Sequence, residues 1–413
     1  MAQLQVTLNE QVLHQLFADD PKGSGMKALM ETILNQLLQA QAKEQLQAAP
    51  YERKADRTDY RNGTYPRQLT TRVGRLQLHV PRLRNGHFST QLFRRYQRSE
   101  RALILTLMEM VVDGVSTRRV SQMTETLCGT EFSASTVSDL CGQLDPLVRA
   151  WNNRSLKNHA YPFLFVDAVY TKVRENGRIR SKGVMIAYGI NDAGYRNILG
   201  LRVGDSESEA AWQDYFRWLK TRGLHGVDVL TSDDHGGLVA AVTQTFQNIS
   251  WQRCQAHFLR NVRDRLSKNR KREMSNRVRE ILHAPNAQMA QELLDAFSAD
   301  YEQQLPTITQ LVEDAYPDVT AVLPLPETYR RRVRTTNGLE RLNEEFRRRE
   351  RVIRIFPNVD SVVRLMGALL MELDEQWSNG RRYLNMDEYW AWRANERAKA
   401  KKGASASAAP ATS

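Results

Sequence analysis

At 413 residues and 47.5 kDa the chain exceeds the size at which a single hydrophobic core stops growing, so roughly two to four domains are expected. With 41% hydrophobic and 26% charged residues it has the composition of a globular protein, and no apolar run nears the roughly 18 residues of a membrane span, which argues against a membrane-embedded chain. Lys and Arg outnumber Asp and Glu by 59 to 47, and the resulting charge of +12 with a pI near 9.7 points to a polyanionic partner.

The opening segment MAQLQVTLNEQVLHQLF has no basic leader or continuous apolar stretch, so export is not expected. Cys128, Cys141 and Cys254 form no CxxC pair or disulfide-like spacing, which fits a reducing cytoplasm. Within residues 1–50, Met26, Met30, Ile33 and Leu37 follow the stretch PKGSG at helical spacing and predict one apolar face. That face either packs inside its own domain or forms a dimer seam. In residues 51–98, apolar Val73, Leu76, Leu78 and Val80 alternate with basic Arg72, Arg75, Arg82 and Arg84 around Asn62-Gly63, Val73-Gly74 and Asn85-Gly86. The pattern predicts hairpins, whose basic side is either a phosphate-binding surface or a merely solvated one.

Residues 99–155 turn helical, with Ser116 and Ser133 in N-cap positions and Gly114 and Gly129 at the turns. Three short helices, the last opening on small polar residues, predict a helix-turn-helix in which Ser135, Thr136 and Ser138 face DNA; a generic helical bundle is the alternative.

From 156 to 260 the chain reads as three strands (162–173, 182–190 and 196–204), a helix opened by a Ser206 to Glu209 capping box, a short strand at 227–232, a helix from about His235, and a last strand at ISWQRC. That order predicts an α/β ribonuclease H-like core: a mixed five-stranded sheet with helices. Basic LSKNRKREMSNRVREIL and amphipathic AQMAQELLDAFSADYEQQL then predict an all-helical insertion over 261–330. Core helices resume over 331–392, and the tail 393–413 has the composition of a disordered basic segment.

Two aspartates stand where such a sheet brings them together: Asp167 inside the first strand and Asp233 just past the fourth. A carboxylate within an apolar strand is costly unless compensated, and hard oxygen ligands awaiting Mg²⁺ are one compensation; backbone donors are another. Displacement at phosphorus with two metal ions needs a third acidic group, for which Glu340 is the candidate. Asn337 followed three residues later by Glu340 is also a capping-box pattern, and spacing alone leaves both readings open.

The motifs YRNGTYPRQLTTRVGRLQLHVPRLRNGHF, FVDAVYTKVR, TSDDHGGL, WQRCQAHFLRNV and RTTNGLERLN follow one another in order, and with them residues 50–385 resemble the bacterial insertion-sequence transposases of the mutator type. The resemblance implies that Asp167, Asp233 and Glu340 are catalytic, and it decides Glu340 in favour of catalysis. It also implies two Mg²⁺ ions, replaceable by Mn²⁺, and double-stranded DNA partners, namely terminal inverted repeats and a target. One departure stands out: the family has glycine after its second aspartate, whereas this chain has Asp234.

The family's Cys and His separated by two residues are Cys254 and His257, expected beside the active site and in contact with DNA, with a purely structural role for His257 as the alternative; zinc would need two further ligands that no nearby Cys-His pair supplies. Lys268, Arg270, Lys271 and Arg272 of the insertion, and Arg347, Arg348, Arg349, Arg351 and Arg354 after Glu340, are expected at phosphates. The expected mechanism is hydrolytic cleavage at the transposon end, followed by attack of the freed 3′-hydroxyl on a second phosphodiester, by a homodimer assembled on DNA at the nucleoid. Tyr170 and Tyr188 lack the Arg and His neighbours of a recombinase nucleophile. A nuclease or resolvase on the same fold, and a non-catalytic helix-turn-helix regulator, are the rival readings.

Overall fold

The computed structural model describes residues 10, 24–53, 57–85, 88–90, 92, 100–128 and 132–407. Gly86 and Gly129, singled out above as turn residues, and the end of the tail from 408 lie outside the described residues. Two compact units divide at Gln143/Leu144.

In the first unit, helix α1 (Ser24–Leu46) lies on a hairpin of β1 (Arg61–Thr71) and β2 (Gly74–Leu83). The tight turn falls at Thr71 to Gly74, where Gly74 adopts φ 111°, a left-handed value open to glycine. Burial alternates along β2, with Leu76, Leu78 and Val80 inside and Arg75, Gln77 and His79 outside, as period-two patterning requires. The helix buries Leu38 and half-buries Met30 and Leu34 against it, while Met26 is exposed. The docked stripe is thus offset from the face expected through Ile33 and Leu37. Glu31 and Asn35 bond the backbone of Gln77 and His79, so the helix also covers a strand edge.

The helical triplet follows as α2 (Arg101–Val112), α3 (Thr117–Cys128) and α4 (Ala134–Cys141), around Leu103, Leu107, Val120, Phe132 and Val137. Ser116 and Ser133 cap the second and third helices through the amides of Arg119 and Thr136.

The second unit opens with α5 (Asp145–Asn152), which belongs to it and not to the triplet: Arg364 grips Asp145 with two hydrogen bonds of 2.6 and 2.9 Å. The sheet comprises β3 (Phe163–Glu175), β4 (Arg178–Ile190), β5 (Arg196–Gly204), β6 (Val229–Ser232) and β7 (Ser250–Arg253), in the order β5-β4-β3-β6-β7. The first three strands are antiparallel, and β6 and β7 add in parallel.

Alternation splits β3 between two cores. Leu164 and Val166 face α6 (Glu209–Thr221) and α7 (Gly236–Thr245), which contribute Trp212, Phe216 and Leu238. Phe163, Phe165 and Val169 face the C-terminal helices α12 (Glu327–Val333), α13 (Asn337–Ile353), α14 (Val359–Asn379) and α15 (Asp387–Ser407). The architecture is therefore α/β, with helices on both faces of a mixed five-stranded sheet.

Between β7 and α12, helices α8 (Gln255–Asp264), α9 (Lys271–Leu282), α10 (Ala287–Tyr301) and α11 (Pro306–Val319) enclose a core of their own around Phe258, Met274, Phe297 and Val312. Helix α15 runs through 393–407, where composition predicted disorder; its Ala, Lys, Arg and Glu residues are strong helix formers. The N-cap of α6 is Ser208 rather than Ser206, with its hydroxyl accepting from the Ala211 amide.

Candidate active site

The register of the central strands builds the site. Phe163, Leu164 and Phe165 on β3 lie opposite Val229, Leu230 and Thr231 on β6, a constant offset that continues to Asp167 and Asp233 just past the end of β6. Asp167 has the parity of Phe165 and Val169, so its carboxylate points toward the C-terminal helices. One oxygen accepts from the Ala168 amide and the other from the Asn343 side chain, each at 2.9 Å. Burial raises its pKa to about 6, against the pull of His257 and the Ala168 amide, and the Asp233 charge pushes the same way as burial.

Asp234 turns elsewhere: it is exposed and paired with Arg253 at 2.9 Å. The glycines beside it divide the work. A Cβ at Gly237 would lie 2.6 Å from the Glu207 carbonyl, so only glycine admits this approach, whereas Gly236 faces open space.

Glu340 is in the first turn of α13, whose N-cap is Thr336 with no side-chain cap. The capping box between Asn337 and Glu340 is not formed. Instead Glu340 Oε1 accepts from Arg260 at 3.2 Å and lies 3.5 Å from His257 Nε2. Gly338 allows α13 to seat against β4, because a Cβ there would come within 2.9 Å of Tyr188 Oη. Tyr188 itself is buried and stacked on Phe165, with ring centroids 4.4 Å apart, and is no accessible nucleophile.

Cys254 caps the start of α8 and is fully buried, its sulfur accepting from the amide and hydroxyl of Thr336 at 3.4 and 3.3 Å. It offers no surface to DNA, which corrects the expectation that it makes such a contact. Burial pushes its thiol up, and His257 and Thr336 more than offset this, leaving it below the usual thiol range. The Cys254 sulfur in turn raises His257 to about 9 against burial, with help from Asp167 and Asp233. His257 Nδ1 is buried and makes no hydrogen bond of regular geometry. The surroundings of His257 thus favour its protonated form, 3.5 Å from Glu340 and within the field of Asp167 and Asp233.

Among the described residues no three His, Cys, Asp or Glu side chains converge as a ready ligand set. Glu340 is held by Arg260 and His257. Two observations nonetheless suit a hard cation: the desolvated Asp167 carboxylate, and Asn343 Oδ1 beside it, buried without a hydrogen-bond partner. Sequence reasoning missed Asn343 and Arg260. Asn343 stands three residues after Glu340, a helical spacing that places both on one face and could have revealed it.

Comparison with known proteins gives the same direction. A family profile described as "Transposase, Mutator family" matches residues 1–380. The chain belongs to the mutator family of transposases. The transposase is 42% identical over 392 residues to the transposase for insertion sequence element IS256 in transposon Tn4001 from Staphylococcus aureus, covering 94% of this chain and 100% of that one. It is 44% identical over 364 residues to the transposase for ISRM5 from Rhizobium meliloti, covering 88% and 91%. With the transposase for IS1081 from Mycobacterium tuberculosis it shares 37% over 363 residues, 88% of each chain. Membership carries the activity: binding of an insertion sequence's terminal inverted repeats, DNA strand cleavage and strand transfer.

The remaining predicted DNA contacts scatter over the transposase. Ser135, Thr136 and Ser138 are exposed on α4, although the first two hydroxyls lie 2.7 and 2.8 Å from the capping Ser133. Arg75, Arg82 and Arg84 are exposed on the hairpin, Arg82 lying over the Tyr65 ring, whereas Arg72 is paired with Glu100. Lys268 and Arg272 are exposed, and Arg270 and Lys271 half-buried, where α9 begins. On α13 and just past it Arg347, Arg348, Arg351 and Arg354 are exposed, but Arg349 is buried against Glu345 at 2.6 Å and serves packing rather than DNA. No helix among the described residues is long and apolar enough to cross a membrane.

Proposed function

We propose that this transposase performs metal-assisted displacement at phosphorus on a ribonuclease H-like core, with Asp167, Asp233 and Glu340 as ligands for two Mg²⁺ ions that Mn²⁺ can replace. The observation that carries the reading is the desolvated Asp167 carboxylate, set in register with Asp233 across β3 and β6 and facing the helix that bears Glu340. The sheet order, three antiparallel strands extended by two parallel ones, supports the core assignment.

Bound ions would supply the activated oxygen nucleophile and charge neutralisation at the scissile phosphate. The chain's own residues do the rest. Asn343 and the Ala168 amide orient Asp167. Arg260 and His257 hold Glu340, and they put positive charge where the anionic DNA backbone would otherwise meet three carboxylates. Asp233 is the ligand of the DD pair, because Arg253 already occupies Asp234. Two transposon ends must meet one target, so the working unit on DNA is at least a dimer, which light scattering on the complex measures.

Asp167→Asn, Asp233→Asn and Glu340→Gln should fold and bind terminal-repeat DNA, while cleavage and strand transfer both fall by orders of magnitude. Chelation should reproduce the loss, and Mn²⁺ should restore activity after it. Near wild-type cleavage by any one of these variants would overturn the assignment of that residue. Added target DNA separates strand transfer from simple nuclease action.

A further inference from the structure

A second site lies on the other flank of α13. A cleft of about 480 Å³ opens between its first turn, the end of α12 and the rim of β4 and β5, and Arg196, Arg331, Arg332 and Arg341 line it. None of the four forms an ion pair with a described acidic residue. Glu345 reaches the wall but is already engaged by Arg348 and Arg349.

Aromatic rings hold two of these four arginines in place. The Arg196 guanidinium lies 4.1 Å from the Trp377 ring centroid and 4.5 Å from that of Tyr383, and Arg332 lies over the Tyr383 ring at 5.1 Å. Burial lowers the pKa of Arg196; Tyr383 and Tyr188 work against this, and the charges of Arg332 and Arg341 add to the lowering. Four guanidinium groups brought together, with the one lining carboxylate already engaged elsewhere, are an arrangement that an anion stabilises. The first turn of α13, uncapped by any side chain, forms part of the same wall through Asn337 and Gly338 and adds the positive end of a helix.

The cleft and the carboxylates share one helix end. Glu340 leaves α13 toward Arg260 on one side, and Arg341, the next residue, lines the cleft on the other. Tyr188 at the cleft pairs with Phe165, two residues along β3 from Asp167, which is about 7 Å of strand. A DNA strand crossing the start of α13 would meet both. We propose that this arginine cleft seats a backbone phosphate of the DNA strand one or a few nucleotides from the scissile bond, and so sets the register of cleavage. The inference rests on the reading of Asp167, Asp233 and Glu340 as the cleavage centre.

Fluorescence anisotropy with terminal-repeat duplexes, in chelator, measures this without catalysis. Single phosphates near the cleavage position are replaced one at a time by neutral methylphosphonate. The wild-type protein should lose about tenfold in affinity at one or two adjacent positions. Arg332→Gln and Arg341→Gln, both at exposed residues, should bind the unmodified duplex more weakly, lower the slope of log affinity against log salt by about 1 each, and show no further loss at those positions. Arg196→Lys keeps the charge but not the planar stacking, and should flatten the profile as well. Asp167→Asn should keep the wild-type profile even though it cannot cleave. If the arginine variants retain the wild-type methylphosphonate profile, the cleft does not hold a DNA phosphate. If inorganic phosphate displaces DNA better than chloride at equal ionic strength and the profile is flat, the cleft takes a free anion instead, and the proposal fails. Cleavage by Asp167→Asn would refute the catalytic assignment while leaving the phosphate profile to stand or fall by itself.

Discussion

Asn343 donates a 2.9 Å hydrogen bond to Asp167 from a position 176 residues further along the chain, and its own carbonyl oxygen is buried beside that carboxylate with no hydrogen-bond partner. A buried amide half-satisfied next to a desolvated acid is a pair waiting for a third member. Asn343 therefore orients a ligand and offers an oxygen of its own.

Asn343→Ala should weaken this support without removing a carboxylate. The expected result is a tenfold to hundredfold rise, roughly, in the Mg²⁺ concentration needed for half-maximal cleavage, as losses of such supporting groups cause elsewhere. Single-turnover cleavage across a metal titration measures it. An unchanged titration curve would reduce Asn343 to a packing residue.

The pairing of Asp234 with Arg253 at 2.9 Å makes the two neighbouring aspartates separable. Asp234→Gly should retain cleavage but lose stability by on the order of 1 to 3 kcal/mol, because Asp234 is itself exposed but leaves the buried Arg253 guanidinium without its carboxylate partner. Asp233→Asn should abolish cleavage. The opposite pattern would move the metal ligand one residue along the chain.

Much of this was legible in the sequence for identifiable reasons. The strands announced themselves through alternation and through turns such as Asn176-Gly177, where both residues adopt positive φ. The separation of Asp167 and Asp233 equals the β3 to β6 register offset, so the ordering of elements alone placed them together. What stayed hidden depends on side chains from distant segments. Arg260 and Glu340 are 80 residues apart, and no spacing rule links them. The capping alternative that spacing left open for Glu340 fails for the same reason: the local pattern Asn337-x-x-Glu340 is a sound cap signal, but tertiary cations claimed the carboxylate and Thr336 took the cap position. Cys254 was misjudged because its neighbour in the motif, His257, does reach the site, while the thiol points into the protein.

If α4 reads the transposon end, Ser135→Glu combined with Thr136→Glu should repel phosphates and weaken terminal-repeat binding. Both residues are exposed, and the capping hydroxyl of Ser133 is left in place, so the helix itself should survive. Circular dichroism and a fluorescence titration on the same protein separate the two effects. Unchanged affinity would remove α4 from the recognition role.

The raised pKa of Asp167 also makes a claim about stability. With a folded value of about 6 against 3.8 for a free carboxyl, the folded protein holds this proton more tightly than the unfolded chain does. The resulting contribution is fully present below the unfolded value and is lost as pH rises through about 6, so at neutral pH the metal-free fold bears the cost of a buried charge. Asp167→Asn removes that charge while keeping a group that can meet Asn343. In chelator at neutral pH the variant should therefore be more stable than wild type by on the order of 1 to 3 kcal/mol. The difference should close as pH falls toward 4. Saturating Mg²⁺ should reverse the order, since only the wild type has the full ligand set and gains stability from binding. Denaturant melts at several pH values, with and without metal, test each arm. A wild type that is already the more stable protein in chelator at neutral pH would mean that Asp167 is satisfied by its backbone and Asn343 donors alone, and that the site has no unmet demand for a cation.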